Sequence, residues 1–167
     1  NLVGNSTSQN NCNLIAVSGT GECNITGNLT GGPSQFSGNN SIQITGNAVV
    51  NVTGNVTGGS YAYSNNNGTS YGVDISATNA TVTINGAVTG SGSPGVRISN
   101  SSTLTVNGPC QSSATSNSAV YAIVFNAIVR LSGPFLYGSS NNINPVYAVA
   151  WRWAPTQIPT YMEVVAS

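Results

Sequence analysis

Charge is almost absent from this chain: its 167 residues hold three Arg, two Glu and one Asp, with no Lys and no His, for a formal net charge of zero. Clustered cations displace phosphate counterions and hold proteins to anionic lipid, so their absence excludes nucleic acid and a basic membrane patch as partners. No apolar run approaches the roughly 18 residues of a spanning helix, and no His and no CxxC among Cys12, Cys23 and Cys110 leaves no zinc site, no other metal and no cofactor to expect.

Gly, Asn, Ser and Thr number 20, 24, 23 and 17, half of the chain, yet 39% of residues are hydrophobic and many of these are Val or Ile. Disorder goes with low hydrophobicity and high net charge; this mixture instead predicts many short strands joined by tight turns. The chain opens on Asn1 without an initiator Met or a signal-like segment, which reads as a fragment or a processed product.

In chain order, residues 1–12 read as an N-terminal connection or cap. Cys12 and Cys23 form a candidate disulfide across the first coil, and Cys110 reads as a core residue. Residues 13–140 read as repeats. One motif runs Ile25-Thr26-Gly27-Asn28-Leu29-Thr30-Gly31, Val52-Thr53-Gly54-Asn55-Val56-Thr57-Gly58 and Ile84-Asn85-Gly86-Ala87-Val88-Thr89-Gly90, then more loosely Val106-Asn107-Gly108-Pro109-Cys110 and Leu131-Ser132-Gly133-Pro134-Phe135. Its central glycines, Gly27, Gly54, Gly86, Gly108 and Gly133, follow one another at 27, 32, 22 and 25 residues, the range of one turn of a solenoid.

A second motif precedes the first: Ile42-Gln43-Ile44, Val73-Asp74-Ile75, Val96-Arg97-Ile98 and Tyr121-Ala122-Ile123, with 8, 9, 8 and 8 residues from its last residue to the anchor of the next motif. A weaker first copy runs through Ile15 to Ile25 and a last one through Val149. Each coil therefore reads as strand, short turn, strand, Gly corner, short strand and variable loop. Side chains alternate along a strand, so Val-x-Ile buries two residues and exposes one, and stacked coils line the buried ones into a continuous core. Asp74 and Arg97 take the same outward position in consecutive coils, which predicts an exposed pair one strand spacing apart, contributing about 0–1 kcal/mol. The fold class is thus all-β, a single-stranded parallel β-helix (solenoid) of about five to six coils. An ordinary β-sandwich is the rival, but it does not require one motif to recur in every second or third strand.

The longest loop, Gly59 to Gly72, sets Tyr61, Tyr63 and Tyr71 among Ser, Asn and Gly. Aromatic faces beside adaptable polar groups suit a glycan or protein ligand; the alternative is that these tyrosines cover the side of the solenoid. Residues 141–167 read as the last coil and an aromatic-rich C-terminal cap or interface. Eight of the twelve aromatics follow residue 118. An open last coil exposes core and strand edge, and Trp151, Arg152, Trp153 and Tyr161 are the candidates to close it or to bind a neighbouring subunit.

TGNLTGG, TGNVTGG and INGAVTG, followed by VNGPC, LSGPF and AWRWAPTQIPTYMEV, resemble the Gly/Asn/Thr-rich β-helical repeats of bacteriophage tail-fibre-like virion proteins. The resemblance spans most of the chain and rests on low-complexity motifs. It implies a structural and adhesive component at the virion surface or otherwise extracellular, engaged in host attachment. It implies a homo-oligomer, with a trimer favoured, or contact with other virion proteins, and a cell-surface glycan or protein as receptor. No catalytic motif carries over, and 167 residues would be one segment of a typical fibre.

Two other readings bear on function. A polysaccharide-degrading tailspike needs two carboxylates flanking the scissile bond, whereas Glu22, Asp74 and Glu163 fall in different coils and Asp74 aligns with Arg97; the expectation is no enzyme. A glycosylated building block of an extracellular filament or coat is suggested by nine N-x-S/T sites at Asn5, Asn24, Asn28, Asn39, Asn51, Asn55, Asn67, Asn79 and Asn100. Random order already yields about six such sites, so the excess is modest. Calcium-binding GGxGxD repeats are absent. The outward series Asn24, Asn51, Thr83, Thr105 and Arg130 is too mixed for an ice-binding Thr ladder.

Overall fold

A computed structural model describes residues 2–3, 13–33, 39–60, 70–91, 93–112, 120–122, 127–132, 135–136, 146–148 and 162–165. Short alternating stretches rich in Val, Ile and Thr, each stopped by Gly, Asn or Ser, leave room for strands of two to five residues, and among the described residues there is no helix.

The strands fall into three six-stranded parallel sheets. The first holds β1 (Leu2–Val3), β4 (Leu29–Thr30), β7 (Val56–Thr57), β10 (Val88–Gly90), β13 (Cys110–Ser112) and β16 (Phe135–Leu136). The second holds β2 (Ile15–Val17), β5 (Ile42–Ile44), β8 (Val73–Ile75), β11 (Val96–Ile98), β14 (Val120–Ala122) and β17 (Val146–Ala148). The third holds β3 (Glu22–Thr26), β6 (Val49–Thr53), β9 (Thr81–Asn85), β12 (Thr103–Val106), β15 (Ile128–Ser132) and β18 (Met162–Val165). Consecutive strands therefore enter different sheets, and each pairs with the strand three places on. The chain is all-β with parallel sheets, as expected; the parallel pairing overturns the sandwich of antiparallel hairpins.

Register converts the sequence motif into columns. In the third sheet Cys23, Val50, Val82, Leu104 and Val129 stand in line, as do Ile25, Val52, Ile84 and Val106. In the second sheet the lines are Ile42, Val73, Val96, Val120 and Ile44, Ile75, Ile98; in the first, Leu29, Val56, Val88, Cys110. These inward residues of all three sheets form one apolar cluster. Each fully buried Val, Ile or Leu contributes about 1.5–3 kcal/mol relative to exposure.

Two corners are short, with residues 149–161 the one exception. From third to first sheet the link is two residues at 27–28, 54–55 and 86–87 and three at 107–109. Gly27 and Gly54 have φ of 126° and 139°, in the region that only glycine enters freely. Stacking adds a second demand: a Cβ at Gly54, Gly86 or Gly108 would overlap the carbonyl of the corner glycine in the preceding strand set, Gly27, Gly54 and Gly86 respectively. The next corner position carries a hydrogen-bond ladder. Asn28 Oδ1 accepts from the Asn55 amide N–H and Asn55 Oδ1 from that of Ala87, each at 2.9 Å. Ala87 offers no side-chain acceptor, and Pro109 above it has no N–H to satisfy.

Gly86→Ala should cost about 2 kcal/mol or more through overlap with the Gly54 carbonyl, whereas Gly19→Ala, with open space around its Cβ, should stay within about 0.5 kcal/mol of wild type. Denaturant unfolding of both variants checks this; equal costs would refute the stacked corner.

Candidate functional site

The third corner, from first to second sheet, takes nearly all the length variation: residues 31–41, 58–72, 91–95 and 113–119. Links from second to third sheet, in contrast, are four or five residues from 18–21 through 123–127, with 149–161 the one long exception. The longest variable link contains Tyr61 and Tyr63, which lie outside the described residues, as do Asn5, Cys12, Asn67, Trp151, Arg152, Trp153 and Tyr161. β1 lies within the expected N-terminal connection, and β17 and β18 within the expected last coil and cap.

The feet of the 58–72 link are firmly held. Gly59 N–H donates to the Asn39 carbonyl at 3.1 Å. On the return side Ser70 N–H donates to Ser93 Oγ at 3.1 Å, Ser91 N–H to the Ser70 carbonyl at 3.1 Å, and Tyr71 N–H to Asn40 Oδ1 at 3.0 Å. Asn40 Nδ2 in turn donates to Asp74 Oδ2 at 3.4 Å. Arg97 closes the network: its Nε meets Asp74 Oδ1 at 2.7 Å and its Nη2 meets Oδ2 at 2.6 Å, a bidentate pair. Its guanidinium carbon lies 4.9 Å from the centre of the Tyr71 ring, a cation–π distance.

The Asp74–Arg97 register is the expected one, but the pair is not an exposed surface pair. Asp74 is 1% exposed and the Arg97 side chain 32%, because Asn40 and Tyr71 at the feet of neighbouring links cover the outer face of the second sheet here. Hydrogen bonding to Asp74 holds the Arg97 pKa above its ordinary value, against the opposing effect of burial. Tyr71 is only 6% exposed, so its ring packs within the chain instead of facing a ligand.

Both Asp74 oxygens are occupied by donors, and Glu22 stands on the outer face of a different sheet, bonded to the amides of Asn24 and Asn51 at 3.0 and 3.3 Å. Among the described residues no group of three His, Cys, Asp or Glu is placed to hold a metal. The chemistry of this site is to fix a loop, with Asn40, Ser70 and Ser93 as parts that sequence reasoning did not single out.

The structure also sorts the glycosylation motifs. Asn39 is 1% exposed and its Nδ2 donates to the Gly32 carbonyl at 3.2 Å, which leaves no room for a glycan. The Nδ2 groups of Asn24, Asn51 and Asn100 donate to Glu22, to Glu22 and Asn24, and to Ser76. Asn28, Asn55 and Asn79 are exposed. Cys23 is a half-buried free thiol, and any pairing with Cys12 lies outside the described residues. Cys110 is buried in the core, as expected, and burial pushes its thiol pKa up to about 12.

Comparison with protein-family models, with curated proteins and with solved structures finds no match.

Arg97→Ala should destabilise more than Asp74→Asn, by about 3 kcal/mol against about 1–2, because it strands a buried carboxylate while Arg97 itself reaches water. Chemical denaturation near pH 7 reads the difference, and the reverse order would overturn the assignment. In the native protein Ellman's reagent near pH 8 should modify Cys23 and spare Cys110 until the chain unfolds, since only the thiolate attacks; equal rates would contradict the buried position.

Proposed function

We propose that the chain is one parallel β-solenoid and that it serves as a non-enzymatic structural and adhesive component of a virion, a phage tail fibre or surface appendage that displays loops for host attachment. The observation that carries this reading is the segregation of variation. The columns and, apart from residues 149–161, two of the corners are nearly constant in length, while the links at the remaining corner run from 5 to 15 residues. A buried network of Asn40, Tyr71, Asp74 and Arg97 anchors the feet of the longest link. Such an arrangement suits a stiff shaft with recognition elements along one edge, where loop changes leave the core untouched.

The receptor class that fits residues 61–69 is a neutral glycan or an uncharged protein surface, since the segment carries Tyr, Ser, Asn and Gly and no charge. A glycosylated building block of an extracellular filament or coat is the second reading, favoured by the exposed sequons at Asn55 and Asn79.

Replacing residues 61–69 with Gly-Ser-Gly should shift the thermal midpoint by only a few degrees, because closing a shorter loop changes the free energy by well under about 1 kcal/mol. Particles carrying the shortened chain should adsorb to their host cells at least tenfold more slowly. Immunogold electron microscopy with an antibody to the chain should label fibres on particles. Unchanged adsorption, or label confined to long filaments free of particles, would overturn the attachment reading.

A further inference from the structure

All strands of each sheet run in the same direction, so every sheet ends in two different edges. One end of the stack presents β2 and β3 as end strands of the second and third sheets; the other presents β17 and β18. Proteins that keep such edges monomeric place Lys, Pro, bulges or inward charges on them. Within the described end strands β2, β3, β17 and β18 there is no Lys, no Pro and no charge at an inward position. β2 is Ile-Ala-Val, β17 Val-Tyr-Ala and β18 Met-Glu-Val-Val, and β3 carries only Glu22. The inward residues of the first end, Leu14, Ile15, Val17, Cys23 and Ile25, are half-buried, whereas Ile42, Ile44, Val50 and Val52 directly above them are fully buried.

The free backbone groups can be located. Ile15 N–H donates to the Ser41 carbonyl and the Val17 carbonyl accepts from Thr45 N–H, so both face β5. Successive residues of a parallel strand bond to opposite neighbours, which leaves Ala16 N–H and C=O facing the open edge. By the same count Gly27 N–H bonds toward β6, and Asn24 faces the open edge. At the other end β18 continues the register of β6, β9, β12 and β15, which puts the Val164 N–H on the open edge.

We infer that these two ends dock on one another, joining copies of this chain head to tail into an open stack, an inference that rests on the solenoid reading above. The columns name the occupant. A second copy seated with its β2 and β3 on β17 and β18 continues the lines in kind: Ile15 and Val17 stand over Val146 and Ala148, and Cys23 and Ile25 over Met162 and Val164. Asn24 of one copy then takes the register position over Glu163 of the other, as it takes the position below Asn51 within the chain. Like ends cannot join this way, because two first ends would meet antiparallel and out of column. A head-to-tail contact closes into a ring only where its rotation allows; copies added strand on strand along the stacking direction do not close, so the stack lengthens.

The test uses two edge variants of the full chain. Ala16→Pro removes an N–H that is free in the monomer, at an edge position where proline is tolerated; Val164→Pro does the same at the other end. Light scattering on a sizing column should show wild-type mass rising with concentration well above the 16.9 kDa of one chain. Each variant alone should stay at that mass with wild-type circular dichroism. A 1:1 mixture should form a dimer and stop there, since it offers one intact pair of ends. Should either variant fail to fold, Asn24→Pro and Met162→Pro take their places. Wild type that stays monomeric at all concentrations, a closed trimer that both variants still form, or a mixture that remains monomeric would each overturn the inference. Any of these results leaves the loop-dependent adsorption test standing on its own.

Discussion

A parallel hydrogen bond between each strand and the strand three places later is the constraint on which the other features depend. It sets residues 22 to 33 positions apart directly above one another, at about 4.8 Å. Once that spacing holds, each position answers to a column. Inward positions must be apolar and alike in size. Corner positions with a carbonyl underneath must lack a Cβ, and so are glycine at 54, 86 and 108. Polar groups left over at the corner must find partners one strand away, as Asn28 and Asn55 do. The sparse charge fits the same rule, because like charges repeated along a column would repel at one strand spacing; where charge enters the outer column of the second sheet it enters as Asp74 beside Arg97.

That constraint also explains where the chain is free. At two corners the links, apart from residues 149–161, are short and the stacking determines them. At the third the links differ in length, and added length costs little because loop-closure entropy grows only slowly with length. The cost that remains is in fixing the feet of a long excursion. The Asn40–Tyr71–Asp74–Arg97 network meets it with a buried carboxylate whose two oxygens both accept hydrogen bonds. It draws on residues in or next to three successive strands of the second sheet, β5, β8 and β11, and so ties the loop to the sheet instead of to a single neighbour. The proposed attachment role needs this division: a core that tolerates no change and an edge that tolerates a great deal.

Much of the architecture was legible in the chain because the columns are written into it. The recurrence of Ile/Val-Thr-Gly-Asn-Leu/Val-Thr-Gly, with Val-x-Ile placed 8 or 9 residues earlier, marks the strand, turn, strand, corner and short strand of each level, and the alignment of Asp74 with Arg97 followed from it. Burial of that pair was not legible. Period-two alternation says which way a side chain leaves its own strand, but not that a residue from an adjoining loop, here Tyr71, will lie across it. Nor was the role of Asn40 and Ser93, since Asn and Ser side chains that hold a loop foot look the same in sequence as Asn and Ser that merely face water. The corner ladder was half visible: Asn28 and Asn55 stood out as repeats, while the complementary loss of acceptor at Ala87 and donor at Pro109 needs the stacking before it means anything.

The pairing rule itself can be read most directly from backbone proton contacts in a uniformly labelled sample by NMR. The account predicts inter-strand cross-peaks that join Val52 to Ile84 and Ile84 to Val106, with no Hα–Hα contacts between strands of the three sheets, as parallel pairing requires. Strong Hα–Hα contacts between consecutive strands, such as Ile42–Ile44 with Val49–Thr53, would show hairpins in place of a three-strand step and would contradict it.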